Sequence, residues 1–209
     1  HRQPIQRRYL VSVLTFDTSA KRAMRELTGK ELAEEIEVIN YKAALATSLN
    51  GGIRKNGVSS DNNSFWLMRS AFMLNVDGVV ISDPTQEQVL ALRPRKDLIG
   101  VRPFVCKNDQ VGAHHAGQMM WFWYDPDEIL GCGRFIAALL LRCPKRGADR
   151  KTVAAFSPDG GSRPFSGDML SRRLHADLIR AGMTVEQADD ATWHALRTTF
   201  ASSLGADNR

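Results

Sequence analysis

The chain of 209 residues contains only three cysteines, at positions 106, 132 and 143, and no Cys-x-x-Cys pair. An odd number without that spacing argues against a disulfide framework and against a zinc module, and it favours a reducing compartment. No apolar run approaches the roughly 20 residues that a membrane-spanning helix needs. The opening segment also lacks the apolar core of a signal peptide. We therefore expect a soluble protein of the cytosol or nucleus with no membrane partner.

Apolar and aromatic residues are abundant. Hydrophobic residues make up 43% of the chain, with four tryptophans and nine phenylalanines, which indicates a packed core and excludes a disordered tail. Lysine and arginine total 28 against 23 acidic residues, a formal net charge of +5. This balance is compatible with a polyanionic partner, but it also fits an ordinary basic protein.

Helical periodicity dominates the first part of the chain and returns in its second half. An apolar stripe runs from Leu32 to Leu49 and stops at the polar and glycine residues 50–52. Asp125-Pro126 predicts the start of a helix that continues over 129–142, and Ser166 with Asp168 predicts the start of another over 169–181.

Strand signals lie between these helices. The pair Asp77-Gly78 within an apolar stretch predicts a tight hairpin, which we interpret as an insertion before the sheet. Residues 98–106 and 118–124 are rich in β-branched and aromatic residues and predict two antiparallel strands. The order predicts an α+β fold that is mainly α-helical with a small antiparallel β-sheet.

A histidine and an arginine stand three residues apart near the end of the printed sequence. His194 and Arg197 share one face of a predicted helix, with Thr192 as its N-cap and Gly205 as its stop. The apolar residues Leu196, Phe200 and Leu204 predict the buried side. An imidazole and a guanidinium in fixed positions can bind one anion together. A His-x-x-Arg pattern is, however, more often an ordinary pair of surface residues.

Three segments in order resemble the catalytic domain of the tyrosine recombinases, the phage-integrase family. The run His194-Ala195-Leu196-Arg197-Thr-Thr-Phe-Ala resembles the family's second conserved box, with Thr198 where a second histidine is usual. The segment 65–72 resembles the apolar helix that carries the first catalytic arginine, here Arg69, with Phe72 where a glutamate is usual. Residues 101–112 resemble the lysine-bearing hairpin, in the version found in recombinases of eukaryotic mobile elements, and place Lys107 in it.

Arg54 is the alternative for the first arginine. The run Gly51-Gly52-Ile53-Arg54 has a fainter similarity to the Gly-Leu-Arg of the first box. We favour Arg69 at this point because the apolar run before it matches the family better.

The resemblance implies site-specific DNA recombination or integration through a 3′-phosphotyrosyl intermediate. Arg69 and Arg197 would hold the phosphate oxygens, because guanidinium groups fork onto phosphate and stay charged. His194 would donate to the phosphate or shuttle a proton, and Lys107 would protonate the leaving oxygen. The cationic side chains would make a metal or other cofactor unnecessary. Arg172 and Arg173 are candidate DNA phosphate contacts, although solvated charges are the simpler interpretation.

Partners and domains follow from the same resemblance. It implies binding to double-stranded DNA and self-association on DNA, as tetramers in the family. Residues 1–20 are then a linker or the remnant of an N-terminal DNA-binding domain, and 21–209 form an integrase-like catalytic domain that is incomplete at its C-terminal end.

The nucleophilic tyrosine is expected after Arg209, because Tyr9, Tyr41 and Tyr124 all precede the His-x-x-Arg box. Either the chain is a fragment of a longer recombinase, or it is a catalytically inactive DNA-binding protein derived from a mobile element. A third hypothesis is a basic helical domain that binds a protein or RNA, in which case the four site residues would not converge.

Overall fold

The computed structural model describes residues 4–15, 29–60, 67–102, 118–161 and 163–206, without the side chains of 29–30 and 200–206. The described helices are α1 (Arg7–Thr15), α2 (Gly29–Gly51), α3 (Lys55–Val58), α4 (Gln86–Leu90), α5 (Cys132–Arg142), α6 (Asp149–Thr152), α7 (Gly167–Arg180), α8 (Val185–Asp190) and α9 (Trp193–Ala206). The described strands are β1 (Phe72–Val76), β2 (Val79–Ile81), β3 (Leu98–Val101) and β4 (Met120–Trp123). The coarse α+β prediction is confirmed.

A four-stranded antiparallel sheet has the order β2-β1-β3-β4. The predicted Asp77-Gly78 hairpin joins β1 to β2, and both residues adopt positive φ angles, 51° and 85°. Two such residues make the tight turn whose twist matches that of the strands. The hairpin is part of the sheet, because β1 pairs with β3 as well as with β2. Its interpretation as an insertion before the sheet was wrong.

The central helix is α2. Every residue from Asn40 to Leu49 on it is buried, and α5 and α9 pack against it. The predicted stop is confirmed, since α2 ends at Gly51 and Gly52 has a φ of 61°. A left-handed residue at this point ends a helix and turns the chain away from its axis.

Helix α1 was not predicted, since residues 1–20 were assigned to a linker or remnant. Tyr9, Leu10, Val13 and Leu14 recur at helical spacing and are buried in the common core. The i, i+4 spacing of these apolar side chains explains why the segment folds onto the rest of the chain. Residues 16–28 lie outside the described part.

Local sequence signals predicted the start of helix α7 correctly and the start of helix α5 wrongly. Helix α7 begins as predicted, with the Ser166 hydroxyl accepting the Met169 N–H, and it ends before Gly182, whose φ is 99°. Helix α5 begins at Cys132 and not directly after Pro126. The Asp125 carboxylate instead accepts from Arg95 and from the Asp127 N–H, which fixes a turn where a helix was expected.

The apolar run before Arg69 was expected to form a helix, and this was wrong for its described part. Met68 pairs as an isolated β-bridge with Ala154, and residues Arg69–Ala71 form a 3₁₀ turn. The backbone bonds Ala155 N to Leu67 O and Arg69 N to Val153 O hold this segment extended. Long-range pairing therefore outweighed the helical preference of the run.

The buried cysteines Cys132 and Cys143 are free thiols, and the interpretation as core filler is confirmed for both. Burial raises the pKa of the Cys132 thiol to about 12 and also raises the pKa of Cys143. Cys106 lies outside the described residues. Among the helices that the structure describes, none has the length and apolar character to cross a membrane.

Candidate phosphate-binding site

Helix α9 carries the histidine and arginine of the His-x-x-Arg pattern. It begins at Trp193, directly after Thr192, and it extends to Ala206, so Gly205 lies inside its last turn and the predicted stop was wrong. Ala195 and Leu196 are buried completely, which leaves His194 exposed and Arg197 half-buried. The side chains of Phe200 and Leu204 lie outside the described part.

Arg197 is the half-buried cation on this helix. Its Nε is buried and has no hydrogen-bond partner, and no described carboxylate forms an ion pair with the side chain. A guanidinium has five N–H donors and no acceptor, so an unpartnered buried Nε is a cost that an anion would relieve. An anion at this point would also lie beside His194, one helical turn away.

Thr199 fixes the position of helix α9. Its Oγ1 accepts a hydrogen bond of 3.0 Å from the Ile5 N–H and donates one of 2.9 Å to the Ala195 carbonyl. Ile5 is itself buried in the core. Thr199, two residues after Arg197, therefore ties helix α9 to the segment before α1.

Arg54 is exposed at the start of α3, with extended backbone angles, φ −69° and ψ 156°. It follows the end of α2 by three residues. The next residue, Lys55, has its Nζ 3.5 Å from the Ser171 Oγ on α7. Arg54 thus stands on a short exposed turn between two helices, where its guanidinium reaches solvent.

The end of α2 that leads to Arg54 also meets the sheet. A Cβ on Gly51 would lie 3.1 Å from the Met120 Sδ and 3.4 Å from the Phe122 Cζ. Strand β4, which follows the connection 103–117 in the sequence, therefore begins against this end of α2. Lys107 is in that connection and lies outside the described residues. Arg197 is on α9, which packs on α2, and Arg54 follows the end of α2 by three residues.

Arg69 lies in the interior, with no exposed surface. Its NH1 donates to the Cys143 carbonyl at 2.8 Å, which caps the C-terminal end of α5. Its Nε and NH2 have no partner, and burial lowers the pKa of Arg69 to about 10. A guanidinium placed in the core does not share a surface with the exposed His194. In this arrangement Arg69 caps the C-terminal end of α5.

Replacing Arg69 by methionine should change how stability depends on pH. The folded-state pKa of Arg69, about 10, lies below the reference value of 12.5, so the folded state loses this proton first as pH rises. The free energy of unfolding of the wild type should then gain up to about 1.4 kcal/mol per pH unit from this residue above pH 10. Burial raises the pKa of Tyr41, which acts in the opposite direction in the same window. Urea unfolding of both proteins across the alkaline range isolates the Arg69 contribution as their difference.

In that comparison we expect the stability difference, wild type minus Arg69→Met, to rise with pH above about 10. Tyr41 is present in both proteins, so its contribution to the pH dependence cancels in the difference. A difference that stays flat over the same range would show that Arg69 is not carried as a buried cation.

Two further arginines were predicted as DNA phosphate contacts. Arg172 is exposed on α7, with its Nε 3.4 Å from the Asp168 carbonyl. Arg173 bonds to Asp177 at 3.2 Å, pairs with Glu37 at 3.6 Å and lies 5.4 Å from the centre of the Tyr41 ring. Arg173 joins α7 to α2, and Arg172 is the one that faces solvent.

None of the three tyrosines is exposed. Tyr9 and Tyr41 are buried and Tyr124 is half-buried. The Tyr9 hydroxyl accepts from Arg8, and burial, followed by the nearby Asp177 carboxylate, raises the pKa of Tyr41. A raised pKa disfavours the phenolate, so Tyr41 is poorly suited to act as a nucleophile.

Arg150 belongs to none of the predicted motifs, but it is buried at 3% exposure and donates to backbone carbonyls. A single sequence offers no signal for this, because the bonds are long-range. Within the described ranges, no group of three or more His, Cys, Asp or Glu residues is placed to hold a metal ion. No protein-family model, curated protein or solved structure matches the chain.

Proposed function

We propose that this chain is the catalytic domain of a DNA strand-exchange protein of the tyrosine recombinase type, in which Arg54, His194 and Arg197 hold one DNA phosphate. Lys107 completes the set from the connection 103–117. The observation that carries the proposal is the half-buried Arg197, whose Nε has no partner on the helix face that also presents His194.

Each side chain suits a need of phosphoryl transfer. The transition state carries added negative charge on the non-bridging oxygens, which two permanently charged guanidiniums stabilise by paired N–H donation. His194 is exposed, so its imidazole can donate a hydrogen bond to the phosphate and take part in proton transfer. Lys107 supplies the proton that the leaving 5′-oxygen requires.

Arg54 replaces Arg69 in this proposal because only Arg54 has a guanidinium in solvent. Support for its position comes from the contact of Gly51 with Met120, which brings the end of α2 beside the strand that follows Lys107. Support for Arg197 comes from the packing of α9 on α2. Double-stranded DNA is therefore the proposed partner, and self-association on DNA remains a prediction.

Arg54→Ala, Arg197→Ala and the double variant should reveal a shared phosphate. Each single change should weaken binding to a labelled DNA duplex about tenfold and lower the slope of log affinity against log salt by about one. If both guanidiniums hold the same phosphate, their effects should be non-additive by about 1 kcal/mol. Fluorescence anisotropy over a salt series measures both quantities.

Lys96→Ala is the matched control, since Lys96 is exposed before β3, at the end of that strand opposite to the connection 103–117. It removes one positive charge, as each of the other single variants does. Its effect on the free energy of DNA binding should be additive with that of Arg197→Ala. Equal losses for Lys96→Ala and Arg197→Ala would mean that only net charge governs binding, and the proposed site would be wrong.

A further inference from the structure

The outer face of the sheet carries two of the four tryptophans. In an antiparallel sheet, directly opposed residues project to the same face. Leu74, Ile99 and Phe122 are opposed in register and face the core together with α5. The alternate positions form two rows on the other face. One row is Met73, Gly100 and Trp121, and the other is Val80, Asn75, Leu98 and Trp123.

This outer face is apolar and open to solvent. Trp123 is 57% exposed and Val80 is 51% exposed, while Trp121 and Leu98 are partly exposed. Met73, in the row of Trp121, is 8% exposed. An exposed indole of this size, on a rigid strand, is a feature of binding surfaces.

Gly100 makes room for the Trp121 ring. A Cβ at Gly100 would lie 2.6 Å from the Trp121 Cζ3 and 2.4 Å from the Met119 Cε. Both distances are shorter than any normal contact, so another residue at position 100 would push the indole away from the sheet. The benzene ring of Trp121 therefore rests over the backbone of β3, one strand from its own.

Charge is distributed unevenly along the face. Arg102 is exposed at the end of β3, and its NH2 lies 3.9 Å from the Met73 Sδ, in the row of Trp121. At the opposite end, the exposed acids Asp127 and Glu128 follow Trp123, while Arg95, which is paired with Asp125, and the exposed Lys96 precede Leu98. A phosphate is thus favoured at the Arg102 end, which is also the end that meets α2 before Arg54.

We propose that this face binds single-stranded nucleic acid, with bases stacked on Trp121 and Trp123 and a backbone phosphate at Arg102. Indole rings on a strand stack on any base, since every base has a π face, and a guanidinium beside them pairs with the backbone. The site is separate from Arg197 and requires no nucleophile. It takes unpaired strands, whereas the proposed phosphate site takes a duplex.

Binding to labelled oligothymidine, compared with a strand of equal length whose sugars lack bases, tests this proposal. The wild type should bind oligothymidine at least about 25-fold more tightly than the abasic strand, because each of the two stacked bases contributes about 5- to 150-fold. Trp123→Ala should lose most of that preference, and Trp123→Phe should keep part of it. Arg102→Ala should weaken binding to both strands. Anisotropy at fixed salt gives each affinity.

Leu90→Ala is the control, since Leu90 is an apolar residue 70% exposed on α4 and its loss should change neither affinity. Urea unfolding checks that Trp123→Ala remains folded. An unchanged preference in Trp123→Ala would overturn the proposal, as would a wild type that does not distinguish the two strands. Arg197→Ala should weaken duplex binding and leave oligothymidine binding intact, so this proposal and the proposed function can fail separately.

Discussion

Arg150→Met should lower the free energy of unfolding by about 3–5 kcal/mol. The Arg150 NH2 donates to the carbonyls of Arg69 and Phe72, at 2.8 and 2.6 Å, and its NH1 donates to Ser82 O and the Asp83 carboxylate. One buried guanidinium thereby holds α6 to the 3₁₀ turn, to β1 and to the segment after β2. Methionine fills similar space but donates to none of these oxygens. Urea unfolding at neutral pH measures the loss.

Arg69→Met is the matched control for that loss. Both arginines are buried, but Arg69 makes one hydrogen bond, to the Cys143 carbonyl, and leaves its Nε and NH2 unpartnered. Removing an isolated buried cation offsets the loss of one bond, so we expect a change of no more than about 1 kcal/mol at neutral pH. Equal destabilisation in the two variants would show that hydrogen bonding does not distinguish these arginines.

Local chemistry predicted the elements that depend on short-range signals. The Asp77-Gly78 turn requires two positive φ angles, which this dipeptide adopts at low cost, and Ser166 caps α7 by a bond within its own first turn. The stop after Gly51 follows from a glycine in the left-handed region. In each case the deciding contact lies within three residues.

Tertiary contacts decided the elements that were mispredicted. The Asp125 carboxylate was expected to cap a helix. It accepts a hydrogen bond from Arg95, which lies 30 positions earlier in the chain. Val153 and Ala155 pair with the segment around Met68 and keep it extended. Helix α1 is ordered by the core that it joins, through Leu10 among others. None of these partners can be identified from a window of sequence.

The candidate site was partly visible in the sequence for the same reason. His194 and Arg197 are related by helical spacing alone, and the structure describes both on α9. Choosing between Arg54 and Arg69 requires burial, which sequence similarity does not report. Arg69 is buried, whereas the glycines before Arg54 mark an exposed turn.

The formation of a covalent protein–DNA adduct tests the central claim most directly. In an extended chain that includes a tyrosine after the His-x-x-Arg box, a suicide DNA duplex should trap the phosphotyrosyl product on a denaturing gel. Arg54→Ala and Arg197→Ala should each slow adduct formation by about 10²–10³-fold, because each removes charge stabilisation from the transition state. The double variant should be little slower than either single one, since the two guanidiniums act as a unit.

Lys96→Ala should form the adduct at the wild-type rate. Duplex binding without any adduct in the extended chain would favour an inactive DNA-binding protein over a recombinase. We expect an adduct whose rate of formation depends on Arg54 and Arg197. An adduct that forms equally well without Arg197, or no adduct with every arginine intact, would contradict it.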